Sequence, residues 1–186
     1  IDDNGVVQPD MNIDASIVGL TFFGMYEAND PRISSSMEQI LDRLWIKTEV
    51  GGLARYENDY YHQVSHDVEN VAGNPWFICS LWIAQYYIEK ATTEEELRKA
   101  LPILEWVVQH ALPSGVLAEQ VDPYSHAPLS VSPLTWSHAG YITTVIEYLD
   151  KKSLLAICPT CGQPTYTREG QKQLQDRAHW QIAMPE

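Results

Sequence analysis

The sequence predicts an all-α domain built in two helical layers. Apolar residues recur at helical spacing in about five stretches, and strand signals are weak throughout. Stretches that are apolar on nearly every face alternate with amphipathic ones. A helix that is apolar all round needs cover on all sides, so the alternation suits an inner set of helices covered by an outer set.

The first element covers residues 13–26, "IDASIVGLTFFGMY", with Asn12 or Asp14 as its cap. Ser35 and Glu38 form a capping box after Pro31. It opens a helix with Met37, Ile40, Leu41, Leu44 and Trp45 on one face. Asn74-Pro75 reads as an N-cap followed by proline at the first helical position. The stretch "WFICSLWIAQYYI" after it is apolar on almost every side and predicts a buried helix. Thr93 and Glu96 are a second capping box, opening an amphipathic helix through Leu97, Leu101, Leu104, Val108 and Ala111. Pro102 there demands a kink or a later start. Ser132-Pro133 opens the last element, 134–149, with Leu134, Tyr141, Val145 and Leu149 along one stripe. The loops at 21–34, 47–73 and 112–133 are long enough to be functional rather than merely connecting.

Composition excludes several classes. The chain has 186 residues, 45% hydrophobic and 20% charged, which is ordinary for a globular domain with a real core. A net charge of −13 excludes a nucleic-acid backbone as partner. No apolar run reaches the roughly 18 residues of a membrane span. The first residue is Ile with no signal-type stretch, which suggests an internal or processed piece. Three cysteines and no Asn-x-Ser/Thr site lead us to expect a reducing, cytoplasmic setting.

Five stretches hold chemistry-bearing residues. "GGLARYENDYYHQV" crowds Arg55, Tyr56, Asp59 and Tyr61 into seven positions. Sugar hydroxyls want bidentate polar partners and sugar faces want aromatic rings, so this mixture suits a sugar site. A surface ion pair beside half-buried tyrosines reads equally from these residues alone. "GNPWFICSLW" puts Trp76 in the first turn of the buried helix, as core or as rim. "SGVLAEQVDP" carries Glu119 in an apolar-leaning loop, where an acid is either solvated or tuned as a base. "SPLTWSHAGYI" brings Trp136 and His138, read as structural support. Cys158-Pro-Thr-Cys161 is one knuckle of a zinc ribbon. With no second CxxC, and His179 the one further candidate, free thiols are expected, with no metal and no cofactor.

Taken in order, "DASIVGLTFFG", "NDPRI", "GGLARYENDYY", "GNPWFICSLW", "SGVLAEQVDP" and "SPLTWSHAGYI" resemble glycoside hydrolase family 15, the glucoamylase family, most of all its prokaryotic members. The resemblance covers about residues 8–150. It implies part, about the second half, of an (α/α)6 toroid of the six-hairpin glycosidase type. Residues 1–150 would form the C-terminal half of that catalytic domain, and 151–186 a polar tail or small appendage carrying the CxxC. The implied activity is that of an inverting, exo-acting α-glucosidase releasing glucose from non-reducing ends of α-glucans. A trehalose-cleaving member and a non-catalytic carbohydrate-binding or scaffold toroid are the alternatives. By the resemblance Glu119 is the general base, and Arg55, Tyr56, Asp59, Tyr61, Trp76 and Gln120 bind substrate. The partners implied are an oligosaccharide or α-glucan and the missing N-terminal half of the same domain. The family's general acid would lie in that half. Nothing before Arg55 resembles it, since Asp2, Asp3, Asp10 and Asp14 read as loop and cap residues. The 12 residues between Tyr61 and Asn74 make a longer loop than in some members.

Overall fold

A computed structural model describes Gly5, Val7, residues 11–158, Thr160 and Gly162. Asp2, Asp3, Asp10, Cys161 and His179 lie outside the described residues, and of the Cys158–Cys161 pair, expected as free thiols, only Cys158 is described. The helices are α1 (Gly19–Phe22), α2 (Pro31–Leu44), α3 (Phe77–Lys90), α4 (Glu94–Leu97), α5 (Leu101–His110) and α6 (Thr135–Leu155). A 3-10 turn, Ala15–Val18, precedes α1, and another, Arg98–Ala100, joins α4 to α5. No helix among the described residues is long and apolar enough to cross a membrane.

The two-layer expectation holds where it was strongest. Ten of the fourteen residues of α3 are buried, on all its sides. In α2 only the stripe Ile33, Met37, Ile40 and Leu44 is buried. Helices α5 and α6 both pack on α3, which makes it the inner element. Gly140 permits the closest part of the α3–α6 contact: a Cβ there would stand 2.6 Å from Ile78 Cδ1.

Several expected boundaries move, each for a local reason. The element expected over 13–26 is a 3-10 turn and one helical turn that ends at Phe22, although Asp14 caps it as read, accepting from the Ser16 N–H. Helix α2 does not start at the Ser35–Glu38 box. Asp30 is its N-cap, accepting from the Arg32 N–H, and Pro31 fills a first-turn position that lacks an intrahelical donor partner. Asn74 is not the cap of α3. Its amide is engaged elsewhere, and Trp76 holds the cap position with an extended backbone and no side-chain bond. Thr93 does cap α4, and Glu96 reaches back to the Thr92 N–H. Pro102 sits in the first turn of α5, so the later start replaces the kink. Helix α6 starts at Thr135, after Ser132-Pro133, and runs through Lys151 and Lys152.

The loop 112–133 contains an element not foreseen, the antiparallel pair β1 (Gln120–Val121) and β2 (Pro128–Leu129). Single-residue antiparallel bridges extend this pair into a belt: Trp45 to Leu53, Leu53 to Trp76, and Trp76 to Gln120. The belt crosses the end of α3 where Trp76 caps it, and it fixes the loops that carry the chemistry-bearing residues.

Candidate active site

The ARYEND stretch is tied down by its backbone before its side chains act. The Ala15 N–H donates to the Arg55 carbonyl at 2.8 Å, Asp14 bridges to Tyr56, and the Asp59 N–H donates to the Ala72 carbonyl at 3.0 Å. Gly52 has φ +84°, and a Cβ there would stand 2.6 Å from Trp106 Cζ2 and 2.8 Å from Pro75 Cβ, so glycine alone fits. Gly73 likewise leaves room for Asp59, whose Cβ would lie 2.7 Å from a Cβ at position 73.

Arg55 is the centre of the cluster. Its Nε and Nη2 donate to the two Asp59 carboxylate oxygens at 3.0 and 2.8 Å, and Nη2 reaches the Tyr56 hydroxyl at 3.3 Å. The guanidinium lies 4.5 Å from the Trp76 ring centre, 4.7 Å from Tyr56 and 5.6 Å from Tyr61. Burial works against its charge, but the hydrogen bonds and charge of Asp59 outweigh that, and its pKa stands above the ordinary guanidinium value. Burial first, and then the Asp59 charge, also raises the Tyr56 phenol. Nη1 has no hydrogen-bond partner among the described residues. Tyr61 is 39% exposed and tilts against Trp76 at 5.9 Å.

The expectation that Asp59 and Gln120 meet substrate directly needs correction, because both are 0% exposed. Asp59 is spent on Arg55 and on the Tyr61 N–H at 3.0 Å. Gln120 Oε1 accepts from Asn74 Nδ2 at 2.8 Å, and that same amide donates to the His62 carbonyl at 2.7 Å. Asn74 Oδ1 in turn accepts from the Val64 N–H. Asn74 thus staples the long loop after Tyr61 to the strand beside Glu119. This is the work that removes it from capping α3.

Glu119 sits immediately before β1. Its N–H donates to the Val131 carbonyl at 2.9 Å, and its carbonyl accepts from the Phe77 N–H at 3.2 Å. The Ser130 hydroxyl donates to its carboxylate. The apolar residues ahead of it are anchors: Leu117 and Ala118 are buried in the core with Phe77 and Trp106. Leu117 donates to His138 Nε2 at 3.0 Å, and Ser137 donates to the Ala118 carbonyl at 2.8 Å. His138 is therefore structural support, as expected. Trp136 is 53% exposed and meets Trp82 on the flank of α6, apart from the cluster.

The sequence reading missed Ser130 and Asn74. Ser130 lies in "PLSVSP", where nothing distinguishes one serine from the next. Its φ of +62° is the later-visible sign. Among the described residues the non-glycine positive-φ positions are Asn58, His62, His126 and Ser130, all in the two loops that build this site. Further ties hold those loops together. Ser65 and Tyr124 share a hydroxyl bond of 2.7 Å, and Thr48 donates to the Pro123 carbonyl at 2.6 Å. The result is a fixed carboxylate one residue from the rung that links Gln120 to Trp76, with a braced cation above that Trp.

A family model described as "Glycosyl hydrolases family 15" matches residues 2–146. An uncharacterized glycosyl hydrolase of Methanocaldococcus jannaschii is 32% identical over 148 residues, covering 74% of this chain and 22% of its own. A trehalase of Mycolicibacterium smegmatis is 27% identical over 154 residues, covering 80% of this chain and 21% of its own. The chain thus spans about a fifth of the length of the curated relatives it matches. Among solved structures, a bacterial glucoamylase complexed with acarbose superposes with a TM-score of 0.64 at 24% identity, over 75% of this chain and 21% of its own. The glucoamylase of Hormoconis resinae gives 0.57 at 16% identity, over 87% of this chain and 38% of its own. These likenesses agree with the expected fold, part of an (α/α)6 toroid.

Proposed function

This chain belongs to glycosyl hydrolase family 15, and from that premise we propose that it is the later part of an inverting, exo-acting α-glucosidase of the glucoamylase type, which releases glucose from non-reducing ends of α-glucans. The observation that carries the reading is the Glu119 carboxylate, half-buried, held by the Ser130 hydroxyl and by backbone bonds on both sides.

Glu119 acts as the general base. It takes a proton from water while the water oxygen attacks the anomeric carbon on the face opposite the leaving group. The departing glycosidic oxygen takes its proton from a general acid in the preceding part of the domain. Such a pair stands ~6.5–9.5 Å apart so that the water fits between substrate and base. Arg55 offers its Nη1 hydrogens to sugar hydroxyls, and Tyr56 and Tyr61 border the ring; Trp76, expected to touch substrate, is 4% exposed and supports Arg55 from beneath. Asp59 and Gln120 act from beneath, Asp59 by aiming Arg55 and Gln120 by bracing the strand that carries Glu119.

A second reading, a trehalose-cleaving enzyme, is favoured by the trehalases among the curated relatives. The same carboxylate pair serves an α,α-1,1 bond. Assays of the full-length protein on maltooligosaccharides and on trehalose, with the first glucose anomer followed by NMR, separate the readings. β-Glucose from maltooligosaccharides supports the first, and turnover of trehalose alone supports the second. α-Glucose as first product from maltooligosaccharides, or no hydrolysis of either substrate, sinks the inverting mechanism; trehalose cleaved with inversion gives one α- and one β-glucose.

A further inference from the structure

Outside the Glu119 site, one pair of imidazoles has no task in the proposed chemistry. His110 closes α5, and His126 lies in the loop between β1 and β2. His110 Nδ1 is 2.8 Å from the Trp106 carbonyl oxygen, and its Nε2 is 3.0 Å from His126 Nδ1. The ring planes are 15° from parallel with centres 5.1 Å apart, so the two rings meet edge to edge, nitrogen to nitrogen. Trp106 backs His110 from its other side at 4.6 Å.

The tautomers follow from the partners. A carbonyl oxygen only accepts, so neutral His110 carries its hydrogen on Nδ1 and leaves Nε2 bare. The hydrogen between the rings then belongs to His126 Nδ1. A backbone carbonyl that fixes one imidazole nitrogen and bares the other is the arrangement that surrounds metal-bound histidine. Here the bared nitrogen faces a second imidazole.

We infer that His110 Nε2 and His126 Nδ1 bind one divalent transition-metal ion of the Cu²⁺ or Ni²⁺ kind, with water in the remaining positions. Imidazole nitrogens stand ~2.0–2.1 Å from a bound metal. Two of them 3.0 Å apart subtend about 90° at the ion once each ring turns its lone pair from its neighbour toward the ion, which suits tetragonal Cu²⁺ or Ni²⁺ better than tetrahedral Zn²⁺. Among the described residues no cluster of three or more His, Cys, Asp or Glu is placed to hold a metal, so the chelate is of two imidazoles. The balance is simple. His110 keeps its hydrogen on Nδ1, and that of His126 passes through water from Nδ1 to Nε2, so the neutral pair releases no net proton. The ion would staple the hairpin loop to α5, and that hairpin is flanked by Glu119 and Ser130. The binding itself does not depend on the proposed catalysis.

The test is calorimetric titration of the untagged protein with NiCl2 and CuCl2, wild type beside His126→Asn and His110→Gln. Asn tolerates the left-handed backbone at position 126, φ +63°. Gln is a good helix former for position 110. One saturable equivalent is expected in the wild type, weakened at least about tenfold by either substitution, and the Cu²⁺ spectrum should show two nitrogen ligands falling to one. Should one variant fail to fold by circular dichroism, the other variant and the wild-type nitrogen count decide. No saturable equivalent in the wild type overturns the inference. So does a site whose affinity survives both substitutions, which would place the metal elsewhere, as on the thiols of Cys158 and Cys161.

Discussion

Asp59, with no exposed surface, holds Arg55 by both edges of its carboxylate, at 3.0 Å to Nε and 2.8 Å to Nη2. The pair is i, i+4, yet it is not a helical surface pair. It is a braced cation standing over Trp76. A planar fork spent on one side aims its remaining N–H groups on the other.

Arg55→Ala in the full-length protein should lower kcat/KM by roughly one to two powers of ten, the worth of about 1.5–3 kcal/mol for hydrogen bonds from a charged group. Arg55→Lys should recover little, because an ammonium cannot meet two oxygens in one plane. An exposed ion pair contributes only ~0–1 kcal/mol, so near-wild-type kinetics for Arg55→Ala would return this pair to an ornamental role.

Asp59→Ala should cost folding stability as well as activity. Removing one partner of a buried pair leaves a charge uncompensated, at about 3–5 kcal/mol. Arg55 is only partly buried, so the lower end is expected, and denaturant unfolding reads it. Gly73→Ala tests the same contact from outside the pair. Its new Cβ would press on Asp59 at 2.7 Å, and typical overpacking costs about 1–3 kcal/mol. A Gly73→Ala protein with unchanged stability and kcat/KM would contradict the bracing.

Ser130→Ala removes the hydroxyl that holds Glu119. The side chains are partly exposed, so the expected loss is that of an ordinary hydrogen bond, about 0.5–1.5 kcal/mol, or roughly two- to tenfold in kcat with KM little changed. Ser130→Gly should lose the same bond while easing the backbone, which has φ +62°. A gain in stability with that loss of rate would separate strain from function.

Glu147 offers a pH test away from the site. Burial first, then the charges of Glu89 and Asp150, raise its pKa above 4.5, against the hydrogen bond from Gln85. A carboxyl whose pKa is raised by folding favours the native state when protonated. That contribution is full below pH 4.5 and is lost as pH rises through the native value. Glu147→Gln keeps the bond partner's shape without the charge, so it should be more stable than wild type near pH 7, by roughly the 0.2–0.5 kcal/mol of a like-charge pair. The difference should shrink towards pH 4. Melting curves at the two pH values check the sign.

Much of the fold was legible because its signals are local. Asp14 and Thr93 cap as their side chains suggest, and the unbroken apolar surface of 77–88 could only be an inner helix. The Ser35–Glu38 box named the wrong start for α2. Asp30-Pro31 prevailed over Ser35–Glu38 because proline suits a first turn better than a helix interior. Asn74 misled because an asparagine before proline looks like a cap, while a partner 46 residues away claimed its amide. Residues 151–155 read as the start of the tail because Lys151 and Lys152 are polar, yet both sit well in the last turns of α6. In the site, Glu119, Arg55 and the aromatics were legible as types. The burial of Asp59 and Gln120, and the Ser130 contact, arise only when two loops distant in sequence are folded together.

The central claim is that Glu119 is the general base, and Glu119→Gln in the full-length protein tests it most directly. The amide keeps shape and most hydrogen bonding but cannot take the proton from water. Steady-state kinetics on maltooligosaccharides should show kcat reduced by ~10²–10⁴, with KM within a few-fold of wild type, because the lost interaction acts mainly in the transition state. A large rise in KM with kcat intact would make Glu119 a binding residue and contradict the account.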